Sequence, residues 1–494
     1  MSGRYILGID VGSSSVKTGL LDIETGRPVA VTFSPSVEMP IVAQQPGFAE
    51  QSPESWWQEF QNAFAKLKEK TGLQKEDIAA IGISYQMHGL VCLDKDDQPL
   101  RSSIIWCDSR AVEYGERAFE GLGKEYCLSN LLNSPGNFTA AKLSWVKENE
   151  PALFDRIRTI MLPGDYIALR LTGKPATTIS GLSEGILWNF RESRIASELL
   201  DYFGISKDVV ADIVPTFGEQ GTLQKEVADL LGISAGIPVT YRAGDQPNNA
   251  YSLNVLEPGE IAATAGTSGV VYGITDKVIY DARSRVNSFV HVNHTESDPR
   301  YGVLLCINGT GSLNSWLRRT MFSSESYEQM NAKAAAVPVG ADGLYFYPFG
   351  NGAERILSNR DQGASMQGLQ FNRHHAGHIA RAAQEGIVFA LQYGMEIMQN
   401  MGMQLKTIRA GYANMFLSDI FSVAFAHTSG CTLELYNSDG STGAARAAGV
   451  GAQIFSDAKE SFRGMELIRR VEPDKELQQQ YQEAYQAWKR HLNC

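Results

Sequence analysis

The chain contains one short pattern twice: an apolar strand, a tight turn of glycine and hydroxyl residues, and a second apolar strand. The first copy spans residues 5–21 with the turn Gly12–Ser15, and the second spans residues 260–274 with the turn Gly266–Gly269. Glycine lets the backbone approach an anion closely, and successive backbone N–H groups form an anion-binding concavity. Two such hairpins that faced each other would hold a polyphosphate, so the pattern predicts phosphoryl transfer.

Asp10 ends the first strand, next to the first turn. A carboxylate in that place can hold Mg²⁺, directly or through water, beside a phosphate that is being transferred. The structural alternative is an Asp that only caps the turn. Lys17 in the same hairpin, together with the second hairpin downstream, favours phosphate binding.

Asp245 follows a short predicted strand over residues 238–241 and precedes an amide-rich helix start. An Asp at a helix N-terminus is most often only a cap. The functional alternative is a base that accepts the proton of a sugar hydroxyl, while Gln246 hydrogen-bonds the sugar. A free Asp has a pKa near ~3.9, so it would mainly orient the hydroxyl and take the proton late. The motif alone leaves both alternatives open.

Polar segments also follow other predicted strands, at the position where α/β proteins bind ligands. A lone histidine such as His88 is usually a structural residue, and Trp106 is usually part of the core. Asp108 and Arg110 are equally well explained as a local ion pair. The segments are residues 85–89, 106–110 and 411–414.

Strands alternate with helices along the chain, which predicts α/β layers. At 494 residues the chain is long enough for more than one domain. The turn-rich segment 256–259 precedes the second hairpin and predicts domains over residues 1–256 and 257–494. A helix is predicted to begin at Pro53, further helices to cover residues 378–398, 444–454 and 472–490, and a buried strand to cover residues 78–84.

Composition excludes several classes of protein. The net charge of -11 argues against extensive nucleic-acid binding, and no apolar run is long enough to cross a bilayer. The chain runs from Met1 almost directly into a strand, so we expect no signal peptide. The six cysteines are scattered without metal-ligand spacing, which predicts reduced thiols in the cytoplasm.

The motifs together resemble the FGGY family of carbohydrate kinases over nearly the whole chain. Each match is moderately specific, but their order and spacing together are strongly specific. The resemblance implies two ribonuclease-H-like domains of the actin-like ATPase type, with ATP in the cleft between them. The matching segments are residues 8–17, 86–89, 106–110, 162–166, 171–173, 244–250, 265–269 and 381–386.

The resemblance also implies roles for individual residues. Asp245 is expected to be the base, and Asp10 to work with Mg²⁺. The residues expected to line the sugar pocket are Met87, His88, Asp108 and Gln246. The residues expected to bind ATP are Gly12, Ser13, Ser14, Lys17, Gly266, Thr267, Gly311, Gly411 and Asn414.

The Met87-His88 pair is the match that says most about the substrate, because related kinases for other polyols place different residues there. The pair is typical of the family members that phosphorylate the 5-hydroxyl of D-xylulose. Ribulose, fuculose and glycerol are the alternative acceptors, and a non-enzymatic, ATP-switched actin-like binding protein is the remote alternative. The expected partners are the sugar and ATP, with a homodimer expected for this family and neither nucleic acid nor membrane.

The chain also departs from the usual family pattern. Where a Gly-Gly-Ala-Lys-Ser-like turn is common, residues 409–415 read Arg-Ala-Gly-Tyr-Ala-Asn-Met. Where many relatives have Ser-Asp-Ala-Ser-Gly-Thr, residues 180–185 read Ser-Gly-Leu-Ser-Glu-Gly. A Gly-Glu-Arg-Thr-Pro-like segment is replaced by Gly-Ala-Glu-Arg-Ile at residues 352–356. These changes indicate either a subgroup with the same activity or a shifted sugar preference.

Overall fold

The computed structural model describes residues 3–492, and Met1, Ser2, Asn493 and Cys494 lie outside these described residues. The chain forms two compact units. The first unit comprises residues 3–254, 289–301 and 438–465, and the second comprises residues 255–288, 302–437 and 466–492. The second unit therefore begins close to the predicted boundary, but two later segments return to the first unit. The domain division at residues 256 and 257 stays a prediction.

The first unit is built on a five-stranded sheet. Three neighbouring strands are parallel, so their carboxyl ends lie at one edge, and the first hairpin continues the sheet in antiparallel fashion. In spatial order the strands are Val239–Gly244, Ile78–Tyr85, Tyr5–Val11, Val16–Asp22 and Pro28–Ser34. Ile78–Tyr85 is buried along its whole length, as expected for a central parallel strand.

Two helices pack on this sheet. Pro53–Thr71 begins with Pro at its first turn, as predicted, and buries an aromatic face that includes Trp56 and Phe60. Gly440–Gly451 packs on the strands through small residues. A Cβ on Gly82 would lie 2.1 Å from the Ala444 carbonyl oxygen, so only glycine permits this close approach.

The second unit contains a seven-stranded sheet that carries the second hairpin. In spatial order the strands are Asn287–Val290, Tyr301–Ile307, Gly269–Thr275, Glu260–Ala265, Thr407–Gly411, Thr432–Tyr436 and Leu467–Val471. Glu260–Ala265, Thr407–Gly411 and Thr432–Tyr436 are parallel neighbours. The helix Ala376–Asn400 is buried along most of its 25 residues.

The remaining elements are short. The other helices are Val112–Gly121, Lys124–Tyr126, Thr139–Asn149, Pro151–Phe154, Pro163–Thr172, Ile179–Glu184, Ser197–Tyr202, Lys225–Leu231, Asp245–Ser252, Gly311–Met321, Tyr327–Ala335, Asp419–Ser429, Ala458–Ser461 and Lys475–Arg490. The other strands are Glu50–Gln51, Val91–Leu93, Ser103–Ile104, Thr159–Met161, Ala176–Thr178, Trp188–Asn189, Arg194–Ile195, Asp212–Val214, Tyr345–Tyr347 and Ser365–Gln367.

The alternation of helices and strands confirms the predicted α/β class. The predicted helix over residues 444–454 begins earlier, at Gly440, and the predicted C-terminal helix begins later, at Lys475. Across residues 3–492, none of the helices has the length and apolar character needed to span a membrane.

Candidate active site

The two predicted acids lie at the same edge of the first unit's sheet. Asp10 is opposite Ser84 on the neighbouring parallel strand, and Ser84 is in turn opposite Ala243. Asp245 follows two residues after Ala243. Neighbouring strands lie about 4.8 Å apart and each strand residue advances about 3.3 Å. Two spacings across the sheet and two residues along it therefore separate the backbones of Asp10 and Asp245 by roughly 12 Å.

Asp10 is partly exposed at the end of its strand but is surrounded by protein. Desolvation raises the pKa of its carboxyl, and the charge of Asp439 acts in the same direction. Lys17, which is opposite Asp10 in the first hairpin, and the Ser84 hydroxyl both act to lower this pKa. The net effect is a raised pKa, so a nearby cation would stabilise the charged form of this carboxylate.

The helix Gly440–Gly451 begins directly beside Asp10. A Cβ on Gly440 would lie 2.5 Å from Asp10 Oδ2. Asp439 caps this helix, since its carboxylate accepts hydrogen bonds from the backbone N–H groups of Ser441 (2.9 Å) and Thr442 (3.2 Å). Sequence reasoning missed this neighbour of Asp10, although the Asp-Gly pair before a run of small residues is a typical helix start.

The residues around Asp10 fit Mg²⁺ held together with a phosphate. Within the part of the chain that the structure describes, no group of three or more His, Cys, Asp or Glu side chains is arranged to hold a metal. Mg²⁺, however, usually keeps several waters and uses only one or two carboxylates plus substrate phosphates. Because the helix cap occupies Asp439, Asp10 is the carboxylate that would hold the cation.

Asp245 begins the helix Asp245–Ser252 and is partly exposed. Burial raises the pKa of its carboxyl to about 7, and the charge of Asp10 contributes to the rise. Hydrogen bonds from the backbone and side chain of Gln246 oppose this rise. A carboxyl with a pKa near neutrality is a far better base than a free Asp, because general bases work best when their pKa is close to the ambient pH.

Met87 and His88 follow the central strand at the same edge. His88 has a left-handed backbone conformation with φ 62°. Its Nδ1 lies 2.9 Å from the Glu184 carbonyl oxygen, and its ring meets the edge of Phe138 at a centroid distance of 4.8 Å. Met87 is buried beside Gly244, the residue before Asp245.

Lys142 connects two of the predicted sugar-binding segments. Its buried Nζ donates to the carbonyl oxygens of His88 (2.7 Å) and Ile105 (3.0 Å). Desolvation lowers the pKa of Lys142 to about 7. A neutral amine still has two N–H groups, which is enough for both carbonyls. Sequence reasoning missed Lys142, since a single lysine in a helix gives no local sign of burial.

The segment around Asp108 forms the local ion pair that the sequence left open. Asp108 is fully buried, and its carboxylate accepts hydrogen bonds from Arg110 Nη2 (2.7 Å) and the Ala49 backbone N–H (2.6 Å). Its contact with a sugar stays a prediction. Trp106 is 49% exposed rather than part of the core, so that expectation was wrong, and its Nε1 donates to Ser13 Oγ at 3.3 Å.

The first turn is tight and keeps its hydroxyl groups accessible. The Gly12 N–H donates to the Ser15 carbonyl oxygen at 3.0 Å, while Gln51 Nε2 donates to the Ser13 carbonyl oxygen at 2.7 Å. Ser14 is exposed. These contacts fix the backbone of the turn without using its side-chain donors, as a phosphate-binding turn requires.

The second unit brings together the other predicted nucleotide-binding residues. The Gly311 N–H donates to the Gly266 carbonyl oxygen at 2.8 Å, which places the start of the helix Gly311–Met321 on the second turn. Gly411 ends the parallel strand beside the second hairpin, and Thr267 and Asn414 are exposed. A turn and a helix N-terminus together favour anions.

Glu354 is a buried residue that contacts the segment leading into Gly311. It is fully buried, and its Oε1 accepts a hydrogen bond from the Asn308 backbone N–H at 3.0 Å. Burial raises its pKa to about 8, although hydrogen bonds from the backbone of Asn308 and Gly309 oppose the rise. Glu354 thus holds the segment that leads into Gly311, a role that its altered motif did not reveal.

Residues 5–251 match the N-terminal domain of the FGGY family of carbohydrate kinases, and residues 261–452 match its C-terminal domain. The chain belongs to this family. It is therefore a carbohydrate kinase, as the sequence predicted, and the non-enzymatic alternative is set aside. Kinases of the FGGY family use ATP.

Individual relatives support the same family and fold. The chain is 31% identical to the xylulose kinase of Bacillus subtilis over 470 residues, which cover 92% of this chain and 90% of the relative. A crystal structure of xylulose kinase from Lactobacillus acidophilus is similar with a TM-score of 0.89 at 24% identity, covering 98% of this chain and 97% of the other. Gluconate kinase from the same organism gives a TM-score of 0.88 at 24% identity, covering 98% and 97%. The predicted actin-like ATPase fold is confirmed.

Proposed function

We propose that this FGGY kinase transfers the γ-phosphate of ATP to the 5-hydroxyl of D-xylulose and forms D-xylulose 5-phosphate. The similarity to the xylulose kinase of Bacillus subtilis supports this choice of acceptor, because it extends over 92% of the chain. The Met87-His88 pair, at the edge of the sheet that carries Asp245, supports the same choice.

The reaction rests on one observation, the position of Asp245 and Asp10 at the carboxyl ends of parallel strands, with their backbones roughly 12 Å apart. Asp245 orients the hydroxyl and accepts its proton as the hydroxyl oxygen forms a bond to the γ-phosphorus. The bond between that phosphorus and the β,γ-bridging oxygen breaks, and ADP leaves with its electron pair. A pKa of about 7 lets Asp245 be deprotonated before the reaction in a large fraction of molecules.

The other predicted residues position the substrates. His88 and Gln246 hydrogen-bond the sugar, Met87 forms an apolar wall, and Asp108 holds its loop through Arg110. The turn Gly12–Ser14 with Lys17 binds phosphate oxygens from the first unit. Within the second unit, the residues proposed to bind the nucleotide are Gly266, Thr267, Gly311, Gly411 and Asn414. Mg²⁺, held by Asp10, neutralises phosphate charge when it is bound.

The acceptor is the finer part of the proposal, since the same fold serves a gluconate kinase. Ribulose, fuculose and glycerol remain the runner-up acceptors. We also propose a homodimer and a cytoplasmic location, where ATP is available.

The test is a panel of acceptors with ADP formation as the readout. D-xylulose, ribulose, fuculose, glycerol and gluconate are compared by kcat/KM at fixed Mg²⁺-ATP. We expect D-xylulose to have the highest kcat/KM. The Asp245→Asn variant should lose at least about a hundredfold in kcat, the scale of a positioned general base. Asp201→Asn is the matched control, because Asp201 is exposed on another helix.

Two outcomes would contradict the proposal. A higher kcat/KM for another acceptor would replace D-xylulose but keep the kinase mechanism. Near-normal turnover by Asp245→Asn would remove Asp245 as the base.

A further inference from the structure

A buried carboxyl group lies beside the predicted sugar-binding residues of the first unit. Glu184 ends the helix Ile179–Glu184 and is only 2% exposed. Its Oε2 lies 3.8 Å from His88 Nδ1. It would also lie 3.0 Å from a Cβ on Gly244, the residue before Asp245. The carboxyl is therefore between the predicted sugar contact and the predicted base.

The carboxyl oxygens of Glu184 are poorly satisfied by the fold. Across residues 3–492, no hydrogen bond of ordinary geometry reaches either oxygen, although the Tyr85 hydroxyl and the His88 backbone N–H lie near enough to act on the carboxyl. Buried polar groups in native proteins are nearly always paired, so an unpaired one calls for an explanation. Burial of an unpaired carboxylate is strongly unfavourable, and replacement of Glu184 by an apolar side chain would remove that penalty.

The surroundings of Glu184 favour the protonated form of its carboxyl group. Burial raises the pKa of its carboxyl well above the ordinary value, and the charges of Asp245 and Asp165 add to the rise. The Tyr85 hydroxyl offsets part of this effect. A protonated carboxyl offers one O–H donor as well as acceptor sites, which is the combination that a hydroxyl group matches.

The side chain of Glu184 is long enough to reach His88. Ser183, just before it, is held in place because its hydroxyl accepts a hydrogen bond from the Val290 N–H at 2.9 Å. The carboxyl is thus fixed on a structured turn.

We propose that Glu184 is a specificity-determining residue that exchanges hydrogen bonds with one hydroxyl group of an uncharged polyhydroxy acceptor, next to His88. This inference rests on the proposed function and adds a residue to its sugar-binding set. The acceptor hydroxyl completes the hydrogen bonding of a group that the fold leaves unpaired. Acceptors without that hydroxyl would leave the carboxyl unpaired and bind less well.

The test compares two substitutions of similar size. Glu184→Gln keeps a donor and an acceptor, so its KM for D-xylulose should stay within about threefold of the original. Glu184→Met removes both, so KM should rise on the order of tenfold, as expected for a lost hydrogen bond to a buried group. Its kcat should change by less than about threefold, because Glu184 does not touch the reacting atoms.

Deoxy analogues of D-xylulose identify the hydroxyl concerned. In the unmodified protein, removal of the hydroxyl at C1, C3 or C4 should raise KM wherever that hydroxyl makes a hydrogen bond to the protein. For Glu184→Met, one of these analogues should show no further rise, because its missing hydroxyl is the partner of Glu184. Glu148→Gln is the surface control, because Glu148 is an exposed residue of a helix. Tyr85→Phe tests the neighbouring hydroxyl and should leave the KM for sugar within threefold.

Thermal unfolding separates binding from stability. Glu184→Met should unfold at the same or a higher temperature, because it removes an unpaired buried carboxyl. A lower melting temperature with unchanged KM would overturn the inference and assign Glu184 to the fold. Additive effects of Glu184→Met and every deoxy analogue would overturn it as well. Absence of turnover with any neutral sugar in the unmodified protein would overturn the proposed function and the inference together.

Discussion

The interaction between Asp10 and Asp245 predicts how activity depends on pH. With the pKa of Asp245 at about 7, the deprotonated fraction rises from about 0.1 at pH 6 to about 0.9 at pH 8. Because the deprotonated carboxylate is the base, kcat/KM should rise about tenfold across this interval. A free Asp, with a pKa near ~3.9, would give a flat profile there.

The Asp10→Asn substitution should move this profile by a calculable amount. Two unit charges roughly 12 Å apart at an effective dielectric constant of about 20 interact by about 1.4 kcal/mol. That energy corresponds to about 1 pKa unit. The negative charge of Asp10 disfavours ionisation of Asp245, so its removal lowers the pKa of Asp245. The midpoint should therefore move from about 7 to about 6.

The assay measures ADP by chromatography after quenching, from pH 5 to pH 9, at fixed free Mg²⁺. Both substrates are kept far below their KM values, so that the profile reports groups of the free enzyme. Asp201→Asn should follow the unmodified profile, and Asp245→Asn should give a low, flat one. Carboxyl ¹³C shifts of the ligand-free protein give a second measure of the same pKa. A midpoint below about 5, or the same midpoint with and without Asp10, would refute the reasoning.

Three further predictions concern other parts of the molecule. Asp10→Asn should lose turnover and regain part of it at high Mg²⁺, whereas Asp245→Asn should not; the opposite pattern, in a Mg²⁺ titration, would reverse the two roles. In the folded protein the pKa of Lys142 is about 7, below its ordinary 10.5. Between pH 7 and pH 10.5 the unfolded chain therefore binds more protons than the folded protein does. A rise in pH through this window favours folding. The free energy of unfolding of the unmodified protein, relative to that of Lys142→Met, should therefore rise by up to about 1.4 kcal/mol per pH unit in this window. A difference in urea unfolding that does not depend on pH would contradict this. Gly82→Ala should destabilise the protein by about 3 kcal/mol or more, because its Cβ would clash with the backbone carbonyl of Ala444. Gly72→Ala meets no atom within 4 Å and should cost only about 1–2 kcal/mol from its left-handed backbone. Equal effects of the two substitutions in thermal unfolding would count against the packing argument.

The parts of the fold that local sequence encodes were predictable. Both hairpins, the helix from Pro53 and the strand ends at Asp10 and Asp245 follow from periodicity and turn residues over a few positions. The start of the helix at Gly440 and its place beside Asp10 were not predicted. That contact joins residues 430 positions apart in the chain, and no local pattern records such a pairing.

Buried polar residues were the least predictable part of the candidate site. Lys142 and Glu184 stand among ordinary helical residues, and only the tertiary structure shows that each is buried beside His88. The expectation for Trp106 was wrong in the opposite direction. Its size and apolar character predict burial, but its position at a strand end leaves it half exposed. Side chains at ligand-binding edges are where average burial preferences are least reliable.

The return of residues 438–465 to the first unit has a consequence for synthesis of the chain. The helix Gly440–Gly451 packs on strands that include Tyr5–Val11, yet it follows residue 254 by more than 180 positions. At about 5–20 residues per second, a ribosome needs roughly 10–40 s to make the intervening segment. During that interval the glycine-lined surface of the strands is not yet covered by its helix. The N-terminal unit is therefore begun first but completed nearly last, and a nascent chain needs protection of that surface until the second unit has been made.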